Sequence, residues 1–270
     1  MNNLIADSES SIRLAIFLGM FLLLAVAEVL FPRRKPAYSK PKRWLSNLSI
    51  SALNTLVVRI SFPIAGVAAA MLAQDRQWGL LNQLAVAPWL NILIFLLLFD
   101  LAIYWQHRLF HVVPWLWRFH RMHHTDVDYD LTTGSRFHPF SILISAAIKI
   151  ALVIVLGASA AAILIAEVVL NVTAMFNHSN LKLPEGVDRV LRIILVTPDM
   201  HRVHHSTDSI EHNSNFGFNF SGWDRLFGSY LDQPKMSHAD MDIGINGFLD
   251  EKSTKLTYLL IQPFKNSSNP

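Results

Sequence analysis

Four long apolar stretches alternate with short polar ones along this chain. The first runs from about Ile12 to Phe31, close to the ~20 residues a helix needs to cross a bilayer. The second runs from about Leu45 to Ala73 and is interrupted by Arg59 and Pro63. The third covers Trp89 to Trp105. The fourth, Phe140 to Phe176, is too long for one crossing and carries Gly157 near its middle, so it reads as a helical hairpin turning near Gly157 to Ala160. Tyr258 to Phe264 is apolar but far too short to span. The pattern predicts an all-α integral membrane bundle of about four to five spans. The first stretch does not read as a cleavable signal, because Met1 to Ser11 carries only Asp7 and Glu9 and no basic residue.

Composition agrees with that reading. Hydrophobic residues make up 52% of the chain and charged residues only 16%, with a mean hydropathy of +0.33. A net charge of +3 is too small to imply nucleic-acid binding. There is no cysteine, which excludes disulfides, thiolate metal sites and iron–sulfur chemistry. The basic residues are grouped. Arg33, Arg34, Lys35, Lys40, Lys42 and Arg43 lie between the first two stretches, so that loop is expected in the cytoplasm. Counting crossings from there puts residues 107–139, and everything from His178 onward, on the same cytoplasmic face.

The histidines fall on that face. The chain has 12, and none precedes His107. His107 and His111 are four apart at the end of the third stretch, on one helix side. His120, His123 and His124 form an HRxHH box that recurs as His201, His204 and His205. The i, i+3 and i+4 offsets let one helical turn present imidazoles to two adjacent ions. Pro114 and Pro198 suit first helical positions, Thr197 suits an N-cap, and Asp199 suits the positive end of the helix dipole. His178, in Asn177-His178-Ser179-Asn180, offers a ninth ligand. His138 and His212 fit packing or hydrogen bonding better than ligation, and His238 reads as a lone surface histidine. Asp100 shares a stripe with Tyr104 and His107, about 10 Å deeper in the membrane at ~1.5 Å per residue. It either supports a histidine or pairs with Arg59 or Lys149.

So many imidazoles exceed what a zinc hydrolase needs, and a structural zinc site would favour cysteine. Two iron ions held by neutral nitrogen ligands can activate O2 to remove hydrogen from an unactivated C–H bond, which ordinary acids and bases cannot do. A site at a membrane surface suits a lipid substrate. Zinc would also occupy such a site in purified protein, since it binds imidazole more tightly than ferrous iron.

The residues Asp100 to His111, His120-x-x-His123-His124, His138-Pro139, Asn177-His178-Ser179-Asn180 and His201-x-x-His204-His205, followed by Asn215-Phe216-Gly217 and Trp223 to Gly228, resemble the fatty acid hydroxylase/sterol desaturase superfamily. The resemblance covers roughly Ile94 to Tyr230. It implies a helical membrane oxygenase with a cytoplasmic di-metal centre. His107, His111, His120, His123, His124, His178, His201, His204 and His205 would be its ligands. Some members carry a further histidine where this chain has Ala174. Asp224 would either fix a histidine tautomer or cap a turn beside Trp223. Arg108, Arg121 and Arg202 would meet phosphate headgroups or internal carboxylates.

The expected organisation is N-terminal spans over residues 1–93, a catalytic domain over 94–230 and a cytoplasmic tail over 231–270. No nucleotide-binding loop or fused electron carrier is evident, so electrons are expected from a separate protein. A bacterial inner membrane is the expected location, with endoplasmic reticulum as the alternative. The substrate stays open among sterols, fatty acyl chains, carotenoids and ether lipids, and so does the choice between hydroxylation and desaturation. Two rival classes stand beside this reading. A metal transporter would string histidines through its spans, and vesicle metal flux without O2 consumption would reveal it. A non-catalytic lipid sensor would bind lipid while redox-inert.

Overall fold

The computed structural model describes residues 2–84 and 87–265, with side chains from residue 7 on. The last five residues of the expected 231–270 tail lie outside the described residues. Every regular element described is helical, and the only strand-like pairings are isolated bridges such as Pro32 with Leu181. Among the described residues, four helices are long and apolar enough to cross a membrane. They are α1 (Asn2–Leu30), with its apolar part at Asp7–Leu30; α5 (Pro88–Val112); α7 (Pro139–Leu156); and α8 (Ala160–Asn177). Their outward faces carry Leu14, Leu18, Leu22, Leu93, Leu97 and Val155, all exposed. Such a surface is stable only against lipid. α7 and α8 form the expected hairpin. Gly157 ends α7 with φ +72, and the Ser159 hydroxyl caps α8 by accepting from Ala162 N.

The expected second span is corrected to two helices. α2 (Lys40–Ser61) stops before Pro63, which has no N–H to continue the ladder, and α3 (Val67–Asp75) restarts after Gly66 at φ +53. α2 is also less apolar than a lone span, because it faces protein. It buries Arg43, Asn47 and Asn54. Arg43 binds Asp126 and Asp130 beside the histidine region, whereas a short α4 (Leu80–Gln83) and Gly79 pack at the Gly157 turn. The α2–α3 pair therefore runs from the histidine end of the bundle to its far end. The apolar core is where Phe95, Phe99 and Ile103 of α5 meet Ala70 of α3 and Ile163 of α8.

The remaining helices form a cap at one end. They are α6 (Pro114–His124), α9 (Glu185–Leu191), α10 (Pro198–His204), α11 (Ser209–His212), α12 (Gly222–Leu226) and α13 (Leu256–Ile261). Buried ions hold the cap to the spans. Arg43 lies between Asp126 and Asp130 at 2.9 Å from each. Glu28 of α1 accepts from Leu131 N and Asn180 N at 2.7 and 2.9 Å.

Candidate metal centre

Five histidines and then four form two separate groups, and together they are the nine singled out in the sequence. His107, His111, His120, His124 and His204 present nitrogens all within 4.8 Å of one another, and His123, His178, His201 and His205 form a second such set. Helical spacing divides them. On α6, His120 and His124 share a face and serve one set, while His123 turns to the other. On α10, His204 joins the first set, and His201 with the following His205 joins the second. Pro114 and Pro198 occupy first-turn positions, and Thr197 Oγ1 accepts from Met200 N. The two sets abut, with the His124 and His205 rings stacked at 4.3 Å.

Carbonyl groups orient the rings. His107 Nδ1 lies 2.9 Å from Phe216 O, His204 Nδ1 is 2.7 Å from Ser214 O, and His178 Nδ1 is 2.8 Å from Ala174 O. A carbonyl only accepts, so each Nδ1 carries the proton and each Nε2 is left with a bare lone pair. Yet His107 Nε2 and His204 Nε2 face each other at 3.0 Å. Two lone pairs at that distance repel unless a cation sits between them. Burial pushes the His204, His120, His123, His124, His201 and His205 imidazoles well below their usual range, with neighbouring histidines adding to it. Burial also pushes His178 down to about 3. Neutral imidazole is the ligand form. Neither ring nitrogen of the fully buried His205 has a hydrogen-bond partner among the described residues. Nitrogen lone pairs converging without protons are what a metal ion satisfies, so the residues present fit one ion in each set.

The other candidates have different surroundings. His138 belongs to neither set. Its Nδ1 accepts from Phe140 N at the start of α7, and its Nε2 faces Leu260 O. His212 lies against the five-histidine set, 4.7 Å from the His111 and His124 rings, but outside it. His238 is corrected from a surface residue to a buried one, 5% exposed and 3.8 Å from Asp199. The segment after residue 231 folds back here, and Arg34 holds it by donating to the carbonyls of His238 and Met241. Asp100 pairs with neither Arg59 nor Lys149. It accepts from Trp223 Nε1 at 2.9 Å and Phe220 N at 3.1 Å, and so anchors the segment before α12. Asp224 touches no imidazole and accepts from Phe216 N and Gly217 N. Arg202 is paired with Asp199. Arg121 donates to the carbonyls of Gln262 and Lys265, and Arg108 lies over the Trp105 ring.

Three features of the site escaped the sequence. Tyr129, at φ +40, packs its ring 4.8 Å from His205 and donates its hydroxyl to Asn177 O. The orienting carbonyls of Phe216, Ser214 and Ala174 are backbone atoms, which carry no side-chain signal. A cavity of about 650 Å³ opens beside His107 and His120 and extends between α1, α2, α5, α7 and α8 into the spanning region.

A helical membrane bundle with two converging histidine sets beside a lipid-sized cavity defines the class of membrane metal-dependent lipid oxidoreductases. The fatty acid hydroxylase family model matches residues 92–229, and the chain belongs to that family. It is 28% identical to the ornithine lipid hydroxylase of Rhizobium tropici over 86% of this chain and 70% of that one. It is 30% identical to cholesterol 25-hydroxylase of Mus musculus over 81% and 74%. It is 31% identical to alkylglycerol monooxygenase of Xenopus tropicalis over 60% of this chain but only 35% of the relative. No solved structure matches. The chain is an oxidoreductase acting on lipids.

Proposed function

We propose that the two histidine sets hold a pair of iron ions, and that the chain uses O2 and electrons from a separate protein to hydroxylate a lipid C–H bond. The observation that carries this reading is the pair of bare Nε2 atoms of His107 and His204 at 3.0 Å, with His107 itself lining the 650 Å³ cavity. Bound iron would supply the O2 activation and the hydrogen abstraction. His107, His111, His120, His124 and His204 hold one ion, and His123, His178, His201 and His205 the other. The carbonyls of Phe216, Ser214 and Ala174 keep the ligating nitrogens unprotonated and aimed inward. The cavity brings a lipid to His107 and His120 without exposing it to water. The balance is one lipid C–H, one O2, two electrons and two protons giving one alcohol and one water. Hydroxylation is favoured over desaturation because the three relatives are named as hydroxylases or a monooxygenase. The basic residues between α1 and α2 support a cytoplasmic histidine cap, and a bacterial inner membrane is the setting we propose for it.

The test is metal analysis of protein purified from iron-replete cells, paired with lipid mass spectrometry of cells with and without the chain. About two irons per chain and a lipid heavier by one oxygen are expected. Protein that binds no metal, or an unchanged lipid profile in cells that make it, refutes the proposal.

A further inference from the structure

The cavity that begins at His107 and His120 ends among charged side chains from four helices. Glu9 and Arg13 of α1, Arg59 of α2, Lys149 of α7 and Glu167 of α8 all line it. Glu167 lies eleven residues before His178 on α8, so this far end is about 16 Å from the histidines at ~1.5 Å per residue. Charges at that depth in a bilayer are costly, and by default they mark a functional site. Most of these are paired. Arg13 reaches Glu167 at 2.6 Å and Glu9 at 2.7 Å, and Lys149 reaches Glu167 at 3.2 Å. Arg59 has no hydrogen bond or ion-pair partner among the described residues. The group therefore holds three cations against two anions. The wall between the two ends is mixed, with Asn54, Gln106, Ser141 and Ser145 beside the apolar Ile103, Phe110 and Ile142, which suits an acyl chain. Arg59 is an exposed side chain that lines the cavity, so a pure hydrocarbon occupant would leave it without a counter-charge there. One negative charge on the occupant would balance it.

Resting on the lipid-oxygenase reading above, we propose that the deep end of the cavity binds the anionic group, carboxylate or phosphate, of an amphiphilic lipid. Arg59 is its principal contact, with Lys149 alongside, and the chain extends back to the histidines. The charged anchor and the oxidised carbon are then about 16 Å apart, the span from Glu167 to His178 at ~1.5 Å per residue. Oxidation falls on the tail, far from the anion.

Equilibrium dialysis of the full chain in neutral-detergent micelles tests this with three labelled ligands of one acyl length: palmitate, 1-palmitoyl lysophosphatidate and uncharged 1-palmitoylglycerol. At least one anion should bind roughly tenfold tighter than the glycerol ester, about 1.4 kcal/mol. The tighter anion identifies carboxylate or phosphate as the natural group. Arg59→Gln should erase the preference without weakening the neutral ligand, and Arg59→Lys should keep part of it. Equal binding of all three ligands, or an anion preference that survives Arg59→Gln, overturns the proposal. The second result would mean that Arg59 merely reaches for headgroups outside. His204→Ala protein should retain the preference while losing product. A preference in wild-type protein with no oxidised lipid in cells would refute the oxygenase reading and leave the binding site intact.

Discussion

Asp224 is linked to His107 through a single peptide unit. Its carboxylate accepts from Phe216 N at 2.7 Å, and the carbonyl of the same Phe216 accepts the proton of His107 Nδ1 at 2.9 Å. Asp224 also accepts from Gly217 N and from Ser229 Oγ, whose oxygen is in turn 2.8 Å from Tyr104 Oη, one turn before His107 on α5. The loop and the helix that carry the histidine are thus held by one acid.

This arrangement makes Asp224→Asn a sharp test. Burial pushes the Asp224 carboxyl up to about 6, against the opposing pull of its three donors, so it is mostly ionised at pH 7. An asparagine amide would turn an NH2 toward one of those donors and lose that bond. We expect the variant to fold and insert but to bind metal about 10–100-fold more weakly in the five-histidine set, as when an outer partner of a ligand is removed. Metal titration of purified protein reads this. Wild-type affinity in Asp224→Asn would show that the Phe216 carbonyl is positioned by something else.

Gly134 shows the same logic for the other set. A Cβ built there would collide with the Ala174 carbonyl oxygen and lie 2.8 Å from its carbon. That carbonyl orients His178 Nδ1. Gly134→Ala must therefore move the backbone that sets the His178 ring. The expected result is a loss of about 1–3 kcal/mol in stability, typical of overpacking, with metal lost from the His123, His178, His201 and His205 set first. Chemical denaturation and metal counting on the same preparation would check it. A variant with two full metals and unchanged stability would mean that the loop gives way without disturbing His178.

How far the sequence could be read depends on which physics left a mark on side chains. Spans α1, α5, α7 and α8 were legible because lipid demands long apolar runs, and the Gly157 turn was legible because a left-handed cap favours glycine. The grouping of His120, His123 and His124 into two directions followed from helical spacing alone. The break between α2 and α3 was only partly legible. Pro63 and Arg59 mark an interruption, but nothing in the sequence tells that Asn47 and Asn54 have partners in the cap. Asn47 donates to Asp126 and Thr132, and Asn54 donates to Phe137 O. Asp100 misled for a related reason. An intramembrane acid suggests a cation, whereas here an indole N–H and a backbone N–H satisfy it. His238 stands alone in the sequence, and that isolation says nothing of a chain that folds back onto Arg34.

Acid should release the metals and loosen the metal-free protein together. Buried imidazoles such as His178, held near 3, and His212, pushed down to about 4 mainly by burial, stay neutral in the fold, while the unfolded chain protonates near the ordinary value of about 6.5. The unfolded state thus binds more protons between those limits. Stability from these groups is fully present above about pH 6.5 and is lost as pH falls toward 4. The expected result is a lower melting temperature for metal-free protein at pH 5 than at pH 7, with bound metal lost over the same interval. Equal melting temperatures at the two pH values would contradict the burial that defines the site.

The junction of cap and membrane rests on Arg43. Its guanidinium lies between Asp126 and Asp130, 2.9 Å from each, and is itself only 1% exposed. Burial raises the Asp126 carboxyl, but Arg43 and Arg136 outweigh it and hold it at about 2. Asp126 is two residues after His124, so the ion pair fixes the chain where α6 leaves the metal centre. Arg43→Ala takes the arginine from Asp130 and leaves Asp126 with Arg136 alone, and the expected cost is about 3–5 kcal/mol, the range for breaking a buried pair from one side. Arg43→Lys should recover little, because one ammonium cannot reproduce the two-sided guanidinium contacts. Asp130→Asn should cost less than Arg43→Ala, since Asp126 still faces both arginines. Expression level and unfolding midpoints across the three variants decide it. If Arg43→Ala melts with the wild type, the cap is held to the spans without this ion pair, by contacts such as those of Glu28, Asn47 and Asn54.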